Sequence, residues 1–385
     1  MNQAQRTRPG WRPAHLEDLV FFQRGYDITK AEQKAGEIPV VSSSGINSYH
    51  SESKVDGPGV VIGRKGSLGT VHYIEGPYWP HDTTLWSKDL KGNHPRFVYY
   101  FLQTLGLEHY DVGNSNPTLN RNHIHGLDIK IPEHRIQERI ATILSAYDDL
   151  IENNRRRIQL LEQAARLLYK EWFIHLRFPG HEHVKIKDGV PEGWEWKKIA
   201  DVCETVGGGT PSTKISDYWD GDVTWVVPTD VTKNGCLVLL DSERKITEKG
   251  LHESSARIVP AESILLTSRA SVGYFALMDL EVCTNQGFIN IIPHQEELRM
   301  YLLFNLMSRV NEIRANAKGS TYPEISKGRF REMDIVIPPK TFVDEFGKFA
   351  SDIIRHVRCL KRSTLKLENA RDLLLSRLMN GEIPV

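Results

Sequence analysis

The segment Gly113–Pro132, GNSNPTLNRNHIHGLDIKIP, returns in altered form as Gly319–Pro338, GSTYPEISKGRFREMDIVIP. The two segments align over twenty positions without a gap, with Pro117 on Pro323 and the closing Ile-Pro pairs in register. Self-similarity at a fixed spacing is typical of a repeated structural unit. The sequence therefore predicts two copies of one folding plan.

Segments further upstream also correspond, although at slightly different spacings. Gly10-Trp11 opens the first copy and Gly193-Trp194 opens the second, while Gly66–Gly69 (GSLG) parallels Ala270–Gly273 (ASVG). The changed spacing indicates loops of different length. We expect one scaffold that carries two different surfaces.

A long amphipathic helix is predicted downstream in each copy. Apolar residues recur there at steps of three and four, which places them on one helix face. On the first helix this stripe includes Ile143, Leu150, Ile158, Leu161 and Leu168, and on the second Ile353, Leu360, Leu367 and Leu374. Two such helices of 36 to 40 residues, about 55–60 Å long, are expected to pack as an antiparallel coiled coil. The polar stripe positions Asn154, Thr364 and Arg371 either set its register or lie at solvated edges.

The predicted fold class is α+β, with two mixed α/β domains separated by the two long helices in a pseudo-two-fold repeat. The first domain is expected at residues 1–132 and its helix at 133–178. A linker at 179–193 follows, then the second domain at 194–338 and its helix at 339–385.

Charge and cysteine usage restrict the class of protein. Lys+Arg and Asp+Glu both number 49, so the net charge is zero, whereas a free-standing DNA-binding protein is usually basic. Four widely spaced cysteines favour neither a zinc site nor a disulfide framework. No apolar stretch approaches the length of a membrane span, and Met1–Gly10 has no signal-peptide core. We expect a cytoplasmic protein.

Three basic or hydroxyl-rich segments are candidate nucleic-acid contacts. In VVIGRKGSLG, glycines would let backbone amides approach a phosphate beside Arg64, Lys65 and Ser67, although an ordinary tight hairpin has the same pattern. In GGGTPST, a flexible glycine run precedes Thr210, Ser212 and Thr213, although by itself the pattern is more typical of a plain loop. Arg121 and Asn122 precede the last strand of the first copy, where the second copy has further basic residues.

Motifs of several catalytic classes are missing. The sequence has no Asp/Asn-Pro-Pro-aromatic motif of amino-methyl transfer, no Gly-Lys-Ser/Thr phosphate loop and no G-x-G-x-x-G. The histidines have no metal-ligand spacing. We therefore expect no catalytic residue and no metal site in this chain.

Several quoted segments together resemble the specificity subunits of Type I restriction–modification enzymes. In the second half these are GGGTPSTKISDYWDGDVTWVVPTDV, KITEKGL, LLTSRASVGYFA and TNQGFINIIP, and in the first half IPVVSSSGIN, VVIGRKGSLG and the Trp79–Leu85 segment. The resemblance covers nearly the whole chain. It adds Arg269 and Ser271 of the third segment to the candidate DNA contacts.

The resemblance implies a non-catalytic subunit that reads double-stranded DNA, each domain contacting one half of a bipartite asymmetric site. It also implies two methylation subunits and motor–nuclease subunits as partners, which would hold S-adenosylmethionine, ATP and magnesium. Three alternatives stay open: the specificity subunit of a split Type II-like system, an unrecognised nuclease or methyltransferase, and an adaptor whose helices bind only protein.

Overall fold

The computed structural model describes residues 9–110, 117–187, 189–319 and 322–385. Residues 113–116 of the first repeat copy and residues 320–321 of the second lie outside the described ranges, as do residues 1–8. The chain divides into two compact units, Met1–Ile151 with Lys366–Val385, and Glu152–Leu365.

The first unit contains an α/β domain and one end of each long helix. Its strands are β1 (Trp11–His15), β2 (Phe21–Arg24), β3 (Ile38–Ser42), β4 (Gly45–His50), β5 (Gly59–Gly63), β6 (Val71–Ile74), β7 (Trp79–Pro80), β8 (Thr84–Asp89) and β9 (Asp128–Pro132). Its helices are α1 (Leu16–Leu19), α2 (Pro95–Gln103), α3 (Arg121–His125) and the first part of α4 (His134–Tyr169).

The second unit contains the other domain and the remaining parts of the long helices. Its strands are β10 (Ile186–Lys187), β11 (Val190–Pro191), β12 (Glu195–Lys198), β13 (Cys203–Gly207), β14 (Trp219–Val226), β15 (Arg244–Ile246), β16 (Ile258–Val259), β17 (Ile264–Thr267), β18 (Phe275–Ala276), β19 (Val282–Thr284), β20 (Phe288–Pro293) and β21 (Asp334–Ile337). Its helices are α5 (Ile199–Val202), α6 (Pro228–Lys233), α7 (Glu248–His252), α8 (Leu298–Ser308), α9 (Val310–Ala315), α10 (Lys327–Arg331) and most of α11 (Lys340–Met379).

The two domains share one sheet topology, which confirms the internal repeat. The order β2-β8-β5-β6 in the first domain corresponds to β13-β20-β17-β18 in the second, and the pair β1-β9 corresponds to β12-β21. The three-stranded sheet β4-β3-β7 corresponds to β15-β14-β19, which β16 extends to four strands in the second domain, and each sheet contains one parallel pair, β3-β7 or β14-β19. The predicted mixed α/β class is therefore observed twice.

Each unit places the ends of opposite helices in one apolar core. In the first unit, Ile140 and Leu144 of α4 share a core with Leu378 near the end of α11. In the second, Tyr169 at the end of α4 lies 5.7 Å, between ring centroids, from Phe346 near the start of α11. The beginning of one helix thus meets the end of the other in each unit, so the predicted antiparallel pairing is observed. The stripes also pack into the domain cores and not only against each other.

The buried face of α4 differs in part from the predicted stripe. Leu150 is 51% exposed, whereas Ile151 is 2% exposed and belongs to the buried set. The reason is helix geometry: a step of three from Tyr147 reaches Leu150 and a step of four reaches Ile151, and the two residues point about 100° apart. The helix also passes into a π-helical turn, Lys170–Ile174, after Tyr169.

The other predicted stripe residues lie at different depths. Ile158, Ile353 and Leu360 are buried; Ile143, Leu161, Leu168, Leu367 and Leu374 are half-buried. Among the polar stripe positions, Asn154 and Thr364 are buried. The Thr364 hydroxyl donates to Leu360 O of its own helix (2.9 Å), so that hydrogen bond sets no register between the helices.

Candidate nucleic-acid interface

A tight turn between β5 and β6 presents Arg64, Lys65 and Ser67. Gly63 N donates to Thr70 O (2.8 Å), and Gly69 N donates back to Gly63 O (3.0 Å), which closes the turn. Gly66 has a φ of +77°, a conformation that side chains disfavour, and open space surrounds the position of a Cβ. Glycine is therefore favoured here by backbone conformation rather than by crowding.

The segment that leads into α3 lies directly against this turn. Leu119 N donates to Arg64 O (2.9 Å), and Lys65 forms an isolated antiparallel bridge with Thr118. The side chain of Asn120 caps α3 by accepting from Asn122 N (3.0 Å). The structure thus brings Arg121 and Asn122 onto a short helix beside the turn.

The second domain repeats this arrangement with other side chains. Ile325 N donates to Ser268 O (3.0 Å), and Arg269 forms the antiparallel bridge, here with Glu324. Ala270 adopts a φ of +60°, the conformation that Gly66 has in the first domain. A left-handed alanine persists only where surrounding contacts hold it; Ala270 N donates to Pro323 O (3.0 Å). We call the two arrangements, Gly63–Gly69 with 117–122 and Thr267–Gly273 with 323–329, the turn stations.

Charge differs between the two turn stations. Arg269 Nε lies 3.6 Å from Glu324 Oε2, with both side chains about half exposed, whereas Lys65 has Thr118 opposite it. The Lys65 side chain forms no ion pair or hydrogen bond with any residue that the structure describes. Lys65 is therefore a solvent-exposed cation available to an anionic ligand.

Arg24 adds a second guanidinium beside Arg64. Arg24 Nη2 lies 3.0 Å from Asp82 Oδ2, whereas Arg64 reaches only Asp82 O, at 3.4 Å. Burial and the nearby Arg24 lower the pKa of Arg64, and Asp82 offsets this in part. Arg24 also lies 3.4 Å from Asp27, so two carboxylates face Arg24, whereas the Arg64 guanidinium forms no ion pair with any residue that the structure describes. Sequence reasoning missed Arg24, because only the pairing of β2 with β8 brings it to this place.

The GGGTPST loop is more rigid than its composition suggests. A Cβ on Gly208 would lie 2.0 Å from Asn285 O, and one on Gly209 would lie 2.2 Å from Ser255 O. These glycines permit close packing of backbones, so the expectation of a flexible glycine run was wrong. The Thr210 hydroxyl pairs with the Gln286 side chain.

Two indole rings fix the end of this loop. Trp225 Nε1 donates to Gly209 O (2.9 Å), and Trp219 Nε1 donates to Ser212 O (3.1 Å). The side chains of Ser212 and Thr213 are exposed beyond these contacts. The loop therefore presents hydroxyl groups from a fixed backbone.

Comparison with known protein families identifies the family to which this chain belongs. The model of the "Type I restriction modification DNA specificity domain" matches residues 9–163 and 191–369, most of the chain and both repeats. The chain belongs to this family.

Individual relatives agree with the specificity family. The Type I restriction enzyme MjaIX specificity subunit of Methanocaldococcus jannaschii is 42% identical over 151 residues, which is 39% of this chain and 35% of that subunit. The HindI specificity subunit of Haemophilus influenzae is 24% identical over 329 residues, covering 69% of this chain and 71% of that subunit. The first match therefore spans about a third of its relative's length and the second spans more than two thirds.

A solved structure shows the same fold. The crystal structure of the Type I restriction–modification S subunit from M. genitalium aligns with a TM-score of 0.66 and 15% identity, over 97% of this chain and 98% of that one. None of the helices that the structure describes is long and apolar enough to cross a membrane.

Three buried side chains that could take part in chemistry, Cys203, Cys283 and Glu162, lie in surroundings that fit a structural role. Burial raises the pKa of the Cys203 thiol to about 12 and of the Cys283 thiol to about 11, so both stay protonated at neutral pH. The buried Glu162 carboxylate accepts from Leu237 N (2.6 Å), which joins α4 to the second domain. Within the described ranges, no group of three His, Cys, Asp or Glu side chains is placed to hold a metal ion.

Proposed function

We propose that this chain is the DNA-reading subunit of a Type I restriction–modification complex, and that each α/β domain contacts one half of a bipartite, asymmetric site in double-stranded DNA. The observation that carries the proposal is the pair of turn stations. Their backbones match while their side chains differ, Arg64-Lys65-Gly66-Ser67 in one and Ser268-Arg269-Ala270-Ser271 in the other. A shared scaffold with different donors fits two different half-sites, since base edges are read by side-chain hydrogen bonds.

The candidate contacts divide by chemistry. Arg64 and Lys65 are assigned to phosphate, and Arg121 and Asn122 to base edges or their vicinity. In the second domain, the hydroxyl and basic side chains take these roles: Thr210, Ser212, Thr213, Arg269 and Ser271. These assignments rest on exposure, charge and position at the turn stations and the adjoining loop.

Methylation subunits are the proposed partners of the long helices. Leu160 and Leu167 lie seven residues apart on α4 and are 55% and 53% exposed, and Ile174 in the π-helical turn that follows is 52% exposed. Leu160 and Leu167 lie on the face of α4 opposite the buried residues Ile158 and Ala165, since a helix turns about 100° per residue. An exposed apolar row of this kind is typical of a protein–protein contact.

Catalysis is proposed to reside in those partners. Two methylation subunits would bind S-adenosylmethionine, and motor–nuclease subunits would bind ATP and magnesium. The sequence supports this division because it has neither the amino-methyl-transfer motif nor a phosphate loop. The cytoplasmic location stays a prediction.

Methylation mapping tests the proposal. The chain is expressed with its cognate methylation subunits in a host that lacks them, and methylated bases are mapped across the genome. We expect one split sequence whose methylation disappears when this gene is omitted. Methylation that persists without the gene, or activity of the purified chain alone with S-adenosylmethionine or Mg²⁺, contradicts the proposal.

A further inference from the structure

Arg244 of β15 rests on the two indole rings that fix the GGGTPST loop. Its guanidinium carbon lies 3.7 Å from the ring centroid of Trp219 and 5.7 Å from that of Trp225. The rings are 5.0 Å apart and nearly perpendicular, and Arg244 stands directly opposite Trp225 in the β14–β15 register. Strand pairing therefore places this cation on an aromatic surface.

The aromatic surface under Arg244 is rigid. Both indoles are buried, with Trp219 8% and Trp225 3% exposed, and their N–H groups donate to Ser212 O and Gly209 O. A flat guanidinium stacked on an indole is held in orientation by cation–π and planar contact. The same rings thus orient both the loop and the guanidinium.

No acidic group takes up the charge of Arg244. Its side chain forms no ion pair or hydrogen bond with any residue in the described ranges, whereas the cations next to it are paired. Lys245 Nζ lies 3.5 Å from Asp241 and Lys249 Nζ lies 3.2 Å from Asp217. All five N–H donors of an exposed, oriented guanidinium therefore remain available to an external acceptor.

We propose that Arg244 contacts DNA in the second domain, donating two parallel hydrogen bonds to a pair of acceptor atoms. The fork of two parallel N–H groups on the guanidinium matches O6 and N7 of guanine and also two oxygens of one phosphate. Either pair of acceptor atoms in DNA therefore fits the same geometry. The proposal rests on the DNA-reading function above. It adds a residue that lies outside the glycine-rich segments.

The test uses the assembled complex with its methylation subunits and a duplex carrying the mapped site. Affinity is measured at several salt concentrations, and methylation is measured on duplexes changed at each base pair. Arg244→Gln keeps a planar group over Trp219 but removes the charge, Arg244→Lys keeps the charge but removes the fork, and Lys245→Ala is the matched control. Thermal unfolding curves show that each variant is measured below its transition.

Two different results support the proposal, one expected for a guanine contact and the other for a phosphate contact. For a guanine contact, both Arg244 variants lose about 10- to 100-fold discrimination at a single base pair of one half-site. For a phosphate contact, Arg244→Gln weakens binding to all sequences and lowers the salt slope by about one, while Arg244→Lys keeps the slope. The Lys245→Ala control keeps wild-type discrimination.

One result overturns the proposal: Arg244→Gln binds with the affinity, salt slope and discrimination of the wild type. That result is distinct from failure of the proposed function, in which the wild-type complex itself shows no sequence-dependent methylation. A variant that lowers only the unfolding temperature, with binding unchanged, also contradicts the DNA contact and leaves Arg244 as a cover for Trp219.

Discussion

Arg371 Nη1 of α11 lies 2.7 Å from Asp148 Oδ1 of α4, so an ion pair joins the two long helices within the first unit. Tyr100 Oη donates to the other oxygen of Asp148 (2.5 Å). Burial lowers the pKa of Arg371, but hydrogen bonds to Asp148 and Asp372 outweigh it and raise the pKa above the ordinary value. The cation that interrupts the apolar stripe of α11 is thus matched by a specific anion on α4.

Removing that anion is expected to destabilise the first unit. Asp148→Ala removes the partner of Arg371 on α4, leaving only Asp372 of its own helix, and removes the acceptor of Tyr100, at a cost of about 1–2 kcal/mol. The control Asp149→Ala removes an exposed carboxylate 3.8 Å from Arg96 and should cost less than about 0.5 kcal/mol. Urea unfolding measures both variants, and equal losses for the two would contradict a register role for the pair.

Glu162 is expected to give stability a specific pH dependence. Burial raises its pKa above the ordinary 4.5, with the Leu237 amide, Arg166 and Lys361 opposing the shift. The folded state therefore binds a proton more tightly than the unfolded state. The contribution of this group to stability is present below pH 4.5 and is lost as pH rises through the folded pKa.

The variant Glu162→Gln isolates this contribution. It keeps an oxygen acceptor for Leu237 N but does not ionise, so its advantage over the wild type should grow as pH rises from about 4 to 8. Glu162→Ala removes the acceptor and should cost about 1–3 kcal/mol near pH 4, and this cost should shrink as pH rises because alanine does not ionise either. The difference in unfolding free energy is measured against pH. A Gln-minus-wild-type difference that is flat would show that the pKa of Glu162 is the same in both states.

The repeat and the long helices were predictable from sequence because both signals are local or evenly spaced. A 3.6-residue period of apolar residues is enough to predict the helical stripe. Whether Leu150 or Ile151 belongs to its buried face depends on the packing of the helix, which the period does not determine. Contacts made by strand register were not predictable. Arg24 meets Asp82 through the β2–β8 pairing, and Arg244 meets Trp225 through the β14–β15 pairing. Each pair is separated by many residues in sequence, and no local pattern encodes the register.

Lys65→Ala is expected to weaken binding of the assembled complex to all DNA sequences and to lower its salt slope by about one. The reason is that Lys65 is an exposed cation without an acidic partner among the described residues. Lys91→Ala, which removes a cation 3.0 Å from Asp89, is the control and should change neither quantity. Arg121→Ala should instead reduce the discrimination between bases at a single base pair, by about 1–3 kcal/mol of binding free energy. A Lys65 variant with unchanged affinity and slope rules out its phosphate assignment.

The exposed apolar row of α4 is expected to hold a methylation subunit. Leu160→Asp with Leu167→Asp places two charges in that contact and should abolish co-purification, while the unfolding temperature of the chain alone stays within a few degrees. Ile258→Asp, at an isolated exposed position of β16, is the control and should leave the complex intact. Retention of a one-to-two complex by the double variant would exclude this face as the contact.

The paired helices are expected to set the distance between the two half-sites. Inserting four residues after Ile158 of α4, matched by four after Thr364 of α11, adds about 6 Å of helix and turns the following residues by about 40°. Since DNA rises about 3.4 Å per base pair, the non-specific spacer should lengthen by one or two base pairs while the bases read in each half stay the same. A two-residue insertion turns the helix by about 200°, carries the buried stripe to the solvent face and should abolish assembly. Methylation mapping of cells that carry each insertion decides the matter: an active four-residue variant with an unchanged spacer shows that helix length does not fix the distance.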